Sequence, residues 1–212
     1  MTEKMGRCII FAAGPIEKTA HLPVSFSSDD YIIAADAGVR NTTLFGVRPN
    51  LVMGDMDSLS KEEVPEGSIL FPVRKDDTDL MLAIKKGIEL HYTEFLIYGA
   101  LGGRLDHTFA AIQTLAYLLD HGCRGSLVDG GHWVSMLEGE TLVLPRGYRH
   151  VSVFSYTEKA AGVTLRGLSY PLEDGELTQG FPLGVSNSYG DSDEATVSVR
   201  EGRLLLILSD LP

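Results

Sequence analysis

LVMGDMDS (residues 51–58) and ILFPVRKDDTD (residues 69–79) are the two stretches whose reading decides this chain. In each, an apolar run with β-strand character, Leu51–Met53 and Ile69–Val73, leads directly into a dense set of carboxylates. The acidic side chains would then stand where strands end and loops begin, the edge at which open α/β sheets bind ligands. Several ionised carboxylates in one cleft repel each other, so either some stay protonated or a hard cation neutralises them. Magnesium suits such a cleft, because it accepts one or two carboxylates together with phosphate oxygens and keeps several waters. The pair of clusters therefore reads as a magnesium-nucleotide site.

The surrounding pattern supplies a frame for that site. Before residue 130, strand-like runs fall at Arg7–Ala13, Tyr31–Ala37, Leu51–Met53, Ile69–Val73, Phe95–Leu101 and Ser126–Asp129. They alternate with amphipathic segments, which predicts a mostly parallel sheet with helices on its faces. One helix is expected from Thr78 to His91, with Leu80, Ala83, Ile84, Gly87 and Ile88 at helical spacing and Asp76 or Asp77 as its cap. A second is expected from about Asp106 to His121, stopped by Gly122. After residue 130 the texture changes to short strand-like runs at Trp133–Leu137, Thr141–Leu144, His150–Tyr156, Gly162–Leu165, Thr196–Val199 and Arg203–Leu208, separated by turn signals. This half reads as an all-β sandwich or barrel. The expected division is an α/β nucleotide-binding domain over residues 1–130 and an all-β domain over 131–212.

Composition narrows the partners. The net charge is −11, and acidic residues outnumber basic ones in both halves. Nucleic acid and anionic membrane surfaces, which bind mainly through Lys and Arg, are therefore not expected partners. The longest apolar runs, Cys8–Ala13 and Leu204–Leu208, are strand-sized and far short of the roughly 18 residues of a membrane span. The N-terminus lacks the apolar length of a secretory leader, so a cytoplasmic location is expected. Cys8 and Cys123 have no metal-type spacing and read as small core residues.

Each candidate residue has a plainer alternative. Asp36, in AADAG at 34–38, ends a strand among small residues that allow close approach of a ligand, or else caps the segment from Gly38 to Phe45. Asp55 and Asp57 could reach one cation from one side of a turn, or belong to a solvated acidic turn. Asp76 and Asp79 could face one site while Asp77 points elsewhere; capping and helix-dipole stabilisation need only one of the three. Lys75 could bind phosphate or pair with these acids. A third cluster, GALGGRLDH at 99–107, combines a glycine-rich turn with a helix start whose free N–H groups suit an anion. There Arg104 offers a fork for phosphate oxygens, Asp106 caps the helix or orients Arg104, and His107 contacts phosphate, donates a proton or serves structure. A Walker A loop is absent.

Taken in order, Ala-Asp-x-Gly, Gly-Asp-x-Asp-Ser, Lys-Asp-x-Thr-Asp and Gly-Gly-Arg-x-Asp-His, followed by a β-rich half, resemble the thiamine pyrophosphokinase family. Val185-Ser186-Asn187 looks like that family's Ser-Asn element at the thiamine site. The resemblance implies an α/β domain joined to a β-sandwich, working as a homodimer with active sites in clefts between subunits. It implies pyrophosphoryl transfer from ATP to thiamine. It places magnesium on Asp55, Asp57 and Asp79, with Asp76 nearby, and ATP among Asp36, Lys75, Thr78, Arg104, Asp106 and His107. Ser186, Asn187 and Tyr189 would take thiamine. Two departures stand out: Ala37 replaces a glycine common in the family, and no tryptophan follows Trp133, so Tyr189 or Trp133 would supply the stacking face. The donor-side motifs are equally compatible with another primary alcohol, such as a pterin, as acceptor, or with a nucleotide-binding protein that is not an enzyme.

Overall fold

The computed structural model describes residues 6–16, 25–54, 69–70 and 77–211. The chain forms two compact units divided between Gly130 and Gly131. In the first lie β1 (Cys8–Phe11), β2 (Tyr31–Ala35), α1 (Gly38–Phe45), β3 (Leu51–Gly54), β4 (Ile69–Leu70), α2 (Asp79–Glu89), β5 (Glu94–Tyr98), α3 (Leu105–Asp120) and β6 (Arg124–Val128). Every strand pair described in this unit is parallel, in the order β4-β3-β2-β1-β5-β6. β1 is central, with Ile10 opposite Ile33 on one side and Ile97 on the other. All four of its residues are buried, as expected of a parallel strand covered on both faces. Phe11 stacks on Tyr98 at 5.2 Å between ring centroids, and Phe45 joins them from α1.

α2 is capped by Thr78, whose Oγ1 accepts from the Met81 N–H at 3.2 Å. This corrects the expectation that Asp76 or Asp77 would cap. The hydroxyl stands immediately before the first helical residue and satisfies one of the orphan N–H groups there. Asp77 instead pairs with Lys85 at 2.7 Å on the surface, and Asp76 lies outside the described residues. Thr78→Ala should cost about 1 kcal/mol, read as a lower thermal midpoint. α3 buries Ala111, Thr114, Leu115 and Leu118, while Leu105 and Phe109 remain exposed. None of the described helices is long and apolar enough to cross a membrane.

The second unit holds β7 (His132–Glu138), β8 (Thr141–Val143), β9 (His150–Ser155), β10 (Lys159–Arg166), β11 (Leu172–Thr178), β12 (Gly184–Asn187), β13 (Thr196–Ser198) and β14 (Arg203–Ser209). Their described pairings are antiparallel: β12-β9-β14-β7 in one layer and β11-β10-β13-β8 in the other. Val151, Val153, Leu204, Leu206 and Leu208 of the first layer share one core with Ala160, Val163, Leu165, Leu177 and Val197 of the second. That common core makes the unit a sandwich. β11 and β12 escape the sequence pattern because both are edge strands. β11 buries only Leu177 and β12 only Asn187, so neither carries an apolar alternation.

Both cysteines are free and buried, and burial pushes the Cys8 thiol up to about 12. Neither is poised as a nucleophile.

Candidate active site

In the first unit, chain order and strand order part company at β1: β2 lies on one side of it and β5 on the other. The loops leaving β1 and β5 therefore diverge and open a crevice at the carboxyl ends of the strands. A cavity of about 470 Å³ occupies that place. Ala12–Pro15 after β1, Asp36 after β2, Thr78 and Asp79 at the start of α2, and Gly102, Gly103, Arg104 and His107 at the start of α3 all line it.

Asp36 is the most constrained of these residues. It is only 7 % exposed, and its φ of 49° is left-handed, a region Asp and Asn enter more readily than other side chains. Its backbone N–H donates to Met53 O at 2.8 Å, which fixes the turn against the end of β3. A Cβ on Gly54 would stand 3.0 Å from Asp36 Cα, so the two backbones meet where β3 ends. Asp36 does not cap α1. The N-cap is Ala37, with φ −63°, and no side chain caps that helix. A negative φ also explains why alanine serves at 37 without a glycine. Among the described residues, no hydrogen bond reaches Asp36 Oδ1, although the atom is buried.

Arg104 and Asp106 form a fork: Nε donates to Oδ1 at 3.1 Å and Nη2 to Oδ2 at 2.6 Å. Asp106 thus orients Arg104, while its Oδ1 also accepts from the His107 N–H at 3.0 Å. The hydrogen bonds from Arg104 hold the Asp106 carboxyl below the usual carboxylate range, and that carboxylate raises the Arg104 guanidinium in turn. Both side chains are mostly exposed, so the pair presents charge and contributes little stability. His107 is also exposed beside the cavity.

The described part of the cavity therefore brings together Asp36, Thr78, Asp79, Arg104 and His107, with Asp106 behind Arg104. Asp55, Asp57, Lys75 and Asp76 lie outside the described residues. Among those described, no group of three or more His, Cys, Asp or Glu side chains is close enough together to hold a metal ion.

In the second unit, Asn187 is buried and its amide is engaged with backbone. Nδ2 donates to Tyr170 O at 2.7 Å, and Oδ1 accepts from the N–H groups of Tyr170 and Ser188. Ser186, exposed and left-handed at φ 57°, projects from this frame, and its N–H donates to Ser152 Oγ. The Tyr189 hydroxyl donates to Pro145 O, and its ring lies under the Arg146 guanidinium at 4.6 Å. Trp133 packs against the sandwich core. The exposed ring beside Asn187 is Tyr170, which no sequence pattern singled out.

Comparison with known proteins gives this arrangement its relatives. Residues 23–125 match the family model "Thiamin pyrophosphokinase, catalytic domain", and residues 140–204 match "Thiamin pyrophosphokinase, vitamin B1 binding domain". The thiamine pyrophosphokinase of Bacillus subtilis is 28 % identical over 208 residues, covering 94 % of this chain and 97 % of that protein. A crystal structure of the thiamine pyrophosphokinase from the same species superposes with a TM-score of 0.87 at 26 % identity, over 97 % of this chain and 100 % of that one. The thiamin pyrophosphokinase of Candida albicans, at 14 % identity and a TM-score of 0.75 over 97 % of this chain and 89 % of its own, shares the fold.

Proposed function

Since this chain belongs to the thiamin pyrophosphokinase family, a family of enzymes, we propose that it transfers the pyrophosphoryl group of ATP to the hydroxyl of thiamine, giving thiamine diphosphate and AMP. The observation that carries this reading is the buried Asp36 carboxylate. It lines the switch-point cavity with an oxygen that takes no hydrogen bond from the described residues, next to the glycine-rich start of α3. A buried charge with an unsatisfied oxygen is costly to keep, and a cation-bound polyphosphate would compensate it.

The residues 1–130 serve as the ATP and magnesium domain and 131–212 as the thiamine domain. The donor set fits magnesium: oxygen ligands, more than one carboxylate, and room for phosphate. Asp55, Asp57 and Asp79 would hold the ion with Asp76 nearby, and it would supply charge neutralisation along the polyphosphate. Arg104, presented by Asp106, grips phosphate oxygens with its two-pronged guanidinium. The positive end of the α3 dipole adds to the attraction for the same anion. Asp36, Lys75, Thr78 and His107 complete the ATP surroundings. The thiamine hydroxyl oxygen forms a bond to the β-phosphorus as the bond from that phosphorus to the α-phosphate bridging oxygen breaks, and AMP leaves. The hydroxyl proton passes to a cavity carboxylate. Because such transition states are loose, alignment and charge compensation provide most of the acceleration.

Ser186, Asn187 and Tyr189 form the thiamine side, and the exposed ring of Tyr170, whose backbone Asn187 holds, offers a face for a heterocycle. The protein acts as a homodimer with active sites in clefts between subunits. Support comes from Val185 on the edge strand β12 and from Phe181 and Leu183 in the segment just before it, all more than half exposed, together with Leu105 and Phe109 on α3. Val185→Arg should shift the sedimenting species from dimer to monomer; an unchanged dimer would place the interface elsewhere. The reaction belongs in the cytoplasm, where ATP and magnesium are supplied, and the acidic surface leaves nucleic acid and membranes outside its partners.

Product identification tests the reaction. Protein, magnesium, ATP and thiamine should yield AMP and thiamine diphosphate in equal amounts. ADP with thiamine monophosphate would mean ordinary kinase chemistry, and phosphate release without thiamine would mean hydrolysis; either result defeats the proposal.

A further inference from the structure

Asn41 holds the loop after β1 that lines the cavity. From α1, its Nδ2 donates to the carbonyl oxygens of Ala12, at 2.7 Å, and Gly14, at 2.9 Å. Both N–H bonds of the amide are thereby committed. The same segment is joined to the β5 side, where the Ala12 N–H donates to Tyr98 O and the Gly14 N–H to Gly99 O, each at 2.8 Å. Gly99 leaves room for the amide. At φ 68°, a Cβ there would stand 2.5 Å from Ala12 O and 2.8 Å from Asn41 Nδ2. Only glycine fits that position, for both conformation and space. Ala12, Gly14 and Gly99 all line the cavity, as does Asp36 in the turn that leads into α1.

A carbonyl oxygen is the negative end of a dipole and repels a phosphate. Two of them at the end of β1 are drawn onto the Asn41 amide, toward α1. We propose that Asn41 is a positioning residue for the polyphosphate substrate. It acts through the Ala12–Gly14 backbone, directing two carbonyls at its own amide and fixing the span between the Asp36 turn and the Gly99–Gly103 turn. The role rests on the ATP-dependent reading of this cavity.

The test uses Asn41→Asp, which keeps the shape but faces both carbonyls with a carboxylate, and Asn41→Ser, which withdraws the donors. Steady-state KM is measured for ATP and for thiamine, with calorimetric titration of ATP plus magnesium in the absence of thiamine. The expected result is a rise of about tenfold or more in KM and Kd for ATP, with KM for thiamine changed by no more than about twofold. ATP constants left unchanged in a folded variant, an equal rise for both substrates, or failure of both variants to fold would each overturn the role. A wild-type protein that forms no AMP would defeat the proposed reaction alone, because the calorimetric comparison reads ATP binding without turnover.

Discussion

Asp36→Asn should lower turnover by about 10²–10³-fold while leaving the fold at least as stable as the wild type, and up to about 1 kcal/mol more stable. The two effects have one cause. The carboxylate is buried, and its Oδ1 accepts nothing from the described residues, so its charge burdens the unliganded fold. Asparagine has nearly the same shape, tolerates the left-handed φ of 49°, and removes the charge. On the proposed reaction, what it loses is the attraction for a cation-bound polyphosphate. Thermal melts without ligand and kcat with saturating ATP check the prediction separately. A variant that loses stability and keeps its activity would make Asp36 a structural residue of the β2–α1 turn and remove the main support for the site.

The largest effect on stability is expected at Asp30. Its side chain is 2 % exposed and accepts from Arg7 Nε at 3.1 Å, Arg7 Nη2 at 2.7 Å, the Arg7 N–H at 3.1 Å and the Ser27 N–H at 2.8 Å. The cluster ties the start of β1 to the segment leading into β2. Asp30→Ala would leave these donors unpaired and should cost about 3 kcal/mol, the lower part of the range for breaking a buried pair, because the Arg7 side chain is 34 % exposed. Burial alone would push the Asp30 carboxyl upward, but the bonds from Arg7 and the two backbone N–H groups outweigh it and leave it below the usual range. A carboxyl depressed in the folded state stabilises the fold above its unfolded value of about 3.9, and that contribution is lost as pH falls through the folded value. The gap between wild type and Asp30→Ala in denaturant melts should therefore be full at neutral pH and shrink as acid titrates the carboxyl. A constant gap down to strong acid would show that the cost is packing and not charge.

These two aspartates show where local pattern suffices and where it fails. Asp36 drew attention because a small-residue motif after an apolar run is a local signal, whereas Asp30, in the polar run SSDD at 27–30, carries none. The same division holds for the secondary structure. α2 and α3 announced themselves by apolar spacing, and the central strands β1 and β2 by short unbroken apolar runs. β11 and β12 were silent because an edge strand with few buried side chains has no alternation to display. Thr78 took the cap that acidic neighbours seemed to claim, since a cap is decided by which oxygen reaches an N–H and not by which residue is charged.

By itself, the order of residues determined which chemical groups this protein brings to strand ends: carboxylates, a glycine-rich helix start and an arginine beside them, ahead of a β-rich half. Those follow from covalent neighbours and from the periods of helix and strand. Only the tertiary structure decided that the loops leaving β1 and β5 part at the crevice, that Asp36 is buried beside Gly54 with an oxygen that takes no hydrogen bond from the described residues, and that Asn41 spans to Ala12 and Gly14. Burial and hydrogen-bond partnership are contributed by residues distant along the chain, and these meet only after the strands have paired.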